Sequence, residues 1–192
     1  TIDVSFVEEL ADECFMPLTV GGGIKTIEQI SSLLYAGAEK VLINSGVINN
    51  TKLITEAMKH FGSQSIIVSV DINKSWLNKN IVTYNCGRKK ILKDPISYCK
   101  ELESLGVGEI LINCIHRDGT MSGFDIDLIK KMTKELGIPV IAAGGAGNED
   151  HIISLFKETK VSAAASGSFF VFNGNRDSIL ITYPTNRYNI GL

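Results

Sequence analysis

Two stretches of this sequence, LTVGGGIKT (18–26) and VIAAGGAGNE (140–149), each carry an apolar segment into a glycine cluster and then into helical periodicity. Gly144 follows Gly22 by 122 residues, and Ser168 follows Ser45 by 123. Two pairs that share nearly one offset indicate an internal duplication, whose period is the length of about four βα units. A four-unit block used twice gives eight strands, the number that closes a parallel barrel.

The short apolar runs are MPLTVGG (16–22), KVLINS (40–45), SIIVSVD (65–71), EILINCI (109–115), PVIAAGG (139–145) and VSAAASG (161–167). Helix signals follow each of the six. Thr26 and Gln29 form a capping-box pattern before IEQISSLLYAG, which Gly37 ends. TKLITEAMKHFG (51–62) ends at Gly62, and Asp94–Pro95 supplies an N-cap and first-turn proline for ISYCKELESLG. IDLIKKMTKELG (126–137), DHIISLFKET (150–159) and NRDSILITYP (175–184) complete the set of expected helices. Periodicity alone fits an open doubly wound sheet or part of a (β/α)8 barrel. The repeat favours the barrel, with the six runs as its third to eighth strands. The first two strands are then expected to be absent from residues 1–192, a single N-terminally truncated barrel domain. Two open strand edges would leave such a piece unstable and inactive alone.

One interruption breaks the βα rhythm: INKSWLNKNIVTYNCGRKKI (72–91) is polar, basic and aromatic, and reads as a flexible excursion with two short strands. Trp76 and Tyr84 there either cover a bound base or pack the loop itself.

The net charge is −2, with 19 basic and 21 acidic residues interspersed. That balance argues against nucleic acid and membrane surfaces as partners and for small molecules. No apolar run reaches the roughly 18 residues that span a bilayer, and the first residues lack a signal peptide's basic start, so a cytoplasmic location is expected. Cys14, Cys86, Cys99 and Cys114 lack metal-ligand spacing and read as reduced, mostly buried thiols. No metal and no cofactor are expected.

In a barrel the strand exits build the site, and glycines there let backbone N–H groups approach an anion. The duplication therefore predicts two anion sites, one from Gly22, Gly23, Asn44 and Ser45, the other from Gly144, Gly145, Gly167 and Ser168. The plainer reading is that these glycines only make tight turns. Asp71 closes IIVSVD and is the candidate general acid or base. Asp118, Gly119 and Thr120 in HRDGT offer hydrogen bonds to substrate, and His116 is either a proton donor or a loop histidine without a role. His60 and His151 read as surface residues. Lys40 and Glu109 start their strands and belong to the opposite, N-terminal face.

Together, TVGGGI, AEKVLINSG, FGSQSIIVSVD, GVGEILINCIHRDGTMSGFD and PVIAAGGAG resemble the cyclase subunit family of imidazole glycerol phosphate synthase, from about residue 15 to residue 172. The resemblance implies a lyase-type cyclase of histidine biosynthesis in a heterodimer with a glutaminase, whose ammonia enters through the barrel bottom. It also implies a bisphosphate substrate, a phosphoribulosyl-formimino aminoimidazole carboxamide ribonucleotide, converted to imidazole glycerol phosphate. Asp71 matches the family's catalytic Asp of the fifth strand. The Asp of the first strand has no match, since the repeat offset subtracted from Asp71 leads to about position −51. Lys40 and Glu109 match the charged ammonia gate, and Glu39 and Gln64 match the glutaminase interface. Two departures stand out. His116 replaces a usual Asp, and the segments ECFMPLTVGGGI and FFVFNGNRDSILITYP look more like paralogues that pass ammonia to a sugar amidotransferase for amidation of a nucleotide-activated surface sugar.

Overall fold

A computed structural model describes residues 2–48 and 50–172. Six parallel strands form one sheet in the order β1 (Thr19–Gly21), β2 (Lys40–Ile43), β3 (Ile66–Lys74), β6 (Glu109–Cys114), β7 (Val140–Ala143) and β8 (Ala163–Ala165). A hairpin of β4 (Asn80–Tyr84) and β5 (Lys89–Ile91) leaves this path by antiparallel pairing of β4 with the end of β3. The chain is thus an α/β fold whose parallel sheet curls into a half-barrel with helices on its outer face. Among the described residues, β1 and β8 are the two edges of the parallel path.

The connecting helices begin where the sequence offers caps. In α2 (Ile27–Tyr35), the Thr26 side chain accepts from the Gln29 N–H while Gln29 Oε1 accepts from the Thr26 N–H. Asn50 caps α4 (Thr51–Phe61), Asp94 caps α5 (Pro95–Ser104), Asp125 caps α6 (Ile126–Glu135) and Asn148 caps α7 (Glu149–Glu158). Each cap satisfies a backbone donor that the first helical turn leaves unpaired. Thr26 and Asn148 are themselves 122 residues apart, so the duplication extends from the glycines to the caps behind them.

Alternation along β2 and β6 divides the sheet into two faces. Val41, Ile43, Ile110, Ile112 and Cys114 turn outward against the helices, where Ile30, Ile54 and Ile129 are also buried in the continuous apolar core. Lys40, Leu42, Glu109, Leu111 and Asn113 turn to the concave side, where they are only half-buried. That face is arranged in rows: Ile67 pairs with Glu109, Ser69 with Leu111, and Asp71 with Asn113, which continues to Ala143 and Ala165.

Several sequence expectations change. Asp71 does not close its strand, because the antiparallel pairing of Ile72, Asn73 and Lys74 with β4 carries β3 three residues further. The excursion does contain two short strands. Among the described residues, three α-helices have no counterpart in the pattern: α1 (Val4–Glu13), whose N-cap is Asp3, and the short α3 (Ser45–Ile48) and α8 (Ser168–Val171). The last two are single turns at equivalent points of the duplication, too brief to show periodicity. The expected helix 175–184 lies outside the described residues. Of the four thiols, only Cys99 and Cys114 are buried, and Cys86 is exposed. His151 is half-buried rather than a surface residue, since its Nδ1 accepts from the Gly147 N–H at 3.2 Å.

Candidate functional site

The duplicated glycines adopt conformations that explain their identity. Gly22 and Gly23 have φ of 132° and 68°, and Gly144 and Gly145 have 90° and 110°. All four occupy the positive-φ region that disfavours side chains. At the second copy, packing adds a further constraint. A Cβ on Gly145 would lie 2.2 Å from the Gly123 carbonyl oxygen, and the Gly145 carbonyl accepts from the Gly123 N–H at 2.7 Å. The HRDGT loop is thereby clasped to the β7 exit, and Arg117 Nη1 reinforces it by donating to the Gly123 carbonyl at 2.9 Å.

That clasp closes one side of a cavity of about 390 Å³ at the C-terminal ends of β3, β6, β7 and β8. Gly144, Gly145, Gly167 and Ser168, the residues expected at the second anion site, line it together with Asp118 and Gly119. Thr120 does not. Its hydroxyl donates to the Arg117 carbonyl at 2.7 Å, so it shapes the loop from within. The floor of the cavity includes Ser69, Leu111, Asn113, Ala143 and Ala165, and the two alanines leave the space that larger side chains would fill.

Asp71 stands in the same row as Asn113, Ala143 and Ala165. Its side chain is buried, 8% exposed, and Asn113 Nδ2 donates to Asp71 Oδ1 at 3.0 Å. A buried carboxylate needs such a donor. The amide fixes one oxygen, and with it the orientation of the carboxyl group.

The first copy is organised differently. Gly22 and Gly23 line a separate, smaller hollow with Ile2, Val4 and the start of α2. Ser45 nevertheless lies beside their loop, because a Cβ on the next residue, Gly46, would be 2.2 Å from the Ile24 carbonyl oxygen. The Ser45 Oγ accepts from the Asn85 N–H at 3.3 Å and donates to Asn44 Oδ1 at 3.5 Å. The hairpin turn therefore reaches over to the β2 exit.

At the other end of the sheet, Lys40 Nζ and Glu109 Oε2 meet at 2.7 Å across the intervening strand β3. Asn113 is four steps along β6 from Glu109, a rise of about 13 Å between this ion pair and the Asp71 row. Glu39 and Gln64 are exposed near the same strand starts.

His116 points away from these groups. Its Nε2 is 3.6 Å from Asp125 Oδ2, which also faces Lys74 Nζ at 3.4 Å, so the imidazole belongs to the outer side of the β6 exit. Cys99 and Cys114 are each pushed up to about 12, chiefly by burial, and are neutral thiols near pH 7. Among the described residues, no group of three or more His, Cys, Asp or Glu is arranged to hold a metal ion. No helix there is long and apolar enough to cross a membrane.

Asn113 and Asp125 were not singled out from sequence. The available signal for Asn113 was a polar residue in phase with Glu109 and Leu111 on the less apolar face of EILINC. For Asp125 it was its place before the periodic segment 126–137, which predicts a cap but not the approach of Lys74 and His116.

Residues 1–176 match the family described as "Histidine biosynthesis protein". The chain is 46% identical over 167 residues to the "Imidazole glycerol phosphate synthase subunit HisF" of Bacillus cereus strain G9842, a match covering 87% of this chain and 66% of that protein. It is 41% identical over 186 residues to the "Putative imidazole glycerol phosphate synthase subunit hisF2" of Pseudomonas aeruginosa, covering 96% of this chain and 74% of that one. The chain thus spans about two thirds to three quarters of the length of these relatives. With its duplicated strand exits and the Asp71 row between them, the chain belongs to the histidine biosynthesis protein family.

Proposed function

We propose that this chain is the larger part of a cyclase subunit of imidazole glycerol phosphate synthase. In this reading the six parallel strands are the third to eighth of a (β/α)8 barrel, and the strand bearing a second catalytic carboxylate lies outside the chain. The subunit uses ammonia from a glutaminase partner to convert a phosphoribulosyl-formimino aminoimidazole carboxamide ribonucleotide into imidazole glycerol phosphate and aminoimidazole carboxamide ribonucleotide.

The observation that carries the reading is the placement of Asp71, oriented by Asn113, on the sheet between two glycine-rich exits. A bisphosphate laid across the mouth has one phosphate at the Gly144–Gly145 and Gly167–Ser168 exits and the other near Gly22–Gly23, Asn44 and Ser45. Its reacting centre then falls over Asp71, which serves as general acid toward the group that departs. Backbone N–H groups freed by the glycines hold the phosphates without a metal. Ammonia enters past Lys40 and Glu109, travels along the concave face and meets the substrate in the Asp71 row. Glu39 and Gln64 belong to the surface on which the glutaminase docks.

The test uses the full-length protein with ammonia and the formimino ribonucleotide. Formation of imidazole glycerol phosphate, and growth of a histidine auxotroph lacking its own cyclase, are expected. Failure of both, with an authentic cyclase active under the same conditions, would contradict the reading and turn attention to ammonia transfer toward a sugar amidotransferase.

A further inference from the structure

The hairpin that follows β3 carries a charge pattern unlike the rest of the chain. Residues 72–93 contain Lys74, Lys79, Arg88, Lys89, Lys90 and Lys93 and no carboxylate, within a chain whose net charge is −2. Lys74 is balanced by Asp125 and Lys93 by Glu101. Among the described residues, Lys79, Arg88, Lys89 and Lys90 have no carboxylate within 4.0 Å. Lys89 instead has its ammonium 5.9 Å from the Tyr84 ring centroid.

Arg88 is distinguished by the turn that holds it. The turn begins at Asn85, whose N–H donates to Ser45 Oγ, and passes through Gly87, where a Cβ would meet Ile115 Cδ1 at 2.8 Å. It is therefore seated on the exits of β2 and β6. Asn85, Cys86 and Gly87 have φ of 53°, 57° and 77°, so the backbone is coiled tightly in front of Arg88. Lys79 belongs to the turn at the opposite end of the hairpin, and Lys89 and Lys90 to β5.

We propose that Arg88 is a specificity-determining residue that supplies the cationic contact to the phosphate bound on the Ser45 side. The proposal rests on the two-anion reading above and adds an asymmetry to it. The duplication provides glycine and serine at both exits, while the charge at the first exit comes from an inserted hairpin. A guanidinium presents paired donors to a phosphate, and the hydroxyl of Ser45 is held in place by the same turn. The Asn85 to Ser45 hydrogen bond thus couples the position of the cation to that of the hydroxyl.

Inorganic phosphate is the probe. It is titrated into full-length protein at low salt while the amide resonances of Asn44 and Ser45 report one exit and those of Gly167 and Ser168 the other. The expected result is phosphate binding at both exits in the unaltered protein. Arg88→Gln should weaken the Ser45-side site about tenfold and shift the Ser168-side site less than about twofold, as loss of one charge-assisted contact predicts. Arg88→Lys should recover most of the affinity. Unchanged binding at the Ser45 side in Arg88→Gln would overturn the role of Arg88 and leave the two-anion reading standing. Absence of phosphate shifts at both exits in the unaltered protein would overturn that reading and the proposal with it.

Discussion

Asn113 Nδ2 donates to Asp71 Oδ1 at 3.0 Å, between the neighbouring strands β6 and β3 and within one row of the concave face. Asn113 is therefore a positioning residue for the candidate acid. Asn113→Leu keeps the volume and removes the donor. Leaving a buried polar group without its partner costs about 1–3 kcal/mol, so turnover of the full-length protein should fall roughly tenfold. Steady-state kinetics should place the loss in kcat with little change in KM, whereas equal losses in binding and turnover would show a merely structural role.

The Lys40–Glu109 pair joins β2 to β6 over β3, with side-chain exposures of 32% and 15%. Exposure on this scale limits its stability contribution to about 1 kcal/mol. Lys40→Met should accordingly leave the melting temperature nearly unchanged. If the pair gates ammonia, glutamine-driven turnover falls about tenfold while turnover with added ammonia is retained. Equal effects on both reactions would remove the gating role.

The four glycines of the strand exits should differ sharply in their tolerance of alanine. Gly23 has φ 68° with open space around the added methyl, so Gly23→Ala should cost about 1 kcal/mol. Gly145 has φ 110° and would place its Cβ 2.2 Å from the Gly123 oxygen. Gly145→Ala must move the HRDGT loop and should cost about 3 kcal/mol or more. Thermal melting of the two variants checks the order.

Alkaline pH should destabilise the fold through three acids that are buried in their neutral form. Burial pushes the Cys99 and Cys114 thiols from 9.0 up to about 12, and the Tyr98 phenol from 10.0 up to about 12. Because each folded value is above the unfolded one, the unfolded chain loses these protons first. The stabilisation is complete below about pH 9 and is lost as the pH rises toward 12. Urea denaturation should show lower stability at about pH 10.5 than at about pH 8. In the same folded protein an alkylating reagent should label exposed Cys86 well before Cys99 or Cys114.

Much of this arrangement was legible from the residues, for identifiable reasons. β-branched runs located every strand of the parallel path, and Thr26–Gln29, Asp94–Pro95 and Gly62 marked helix ends because capping is chemistry local to a few residues. The offset between Gly22 and Gly144 carried structural information, since both glycines leave a strand with positive φ and the helix caps Thr26 and Asn148 repeat the same spacing. What the sequence did not disclose depended on pairing between distant segments. Asp71 lies inside β3 only because β4 returns to pair with Ile72 through Lys74. The Asn113 amide meets Asp71 because two strands share a register, and Ser45 meets Asn85 because the hairpin folds back over 40 residues. The short helices α3 and α8 escaped detection because four residues carry no period.

The most direct test of the central claim is ammonia-driven formation of imidazole glycerol phosphate by the full-length protein and its Asp71→Asn variant. The change preserves shape and hydrogen-bonding size while removing the proton-transfer group. If Asp71 is the general acid, kcat falls by about a hundredfold or more while KM stays within a few-fold of the original. Turnover by Asp71→Asn within a few-fold of the unaltered protein would contradict the account.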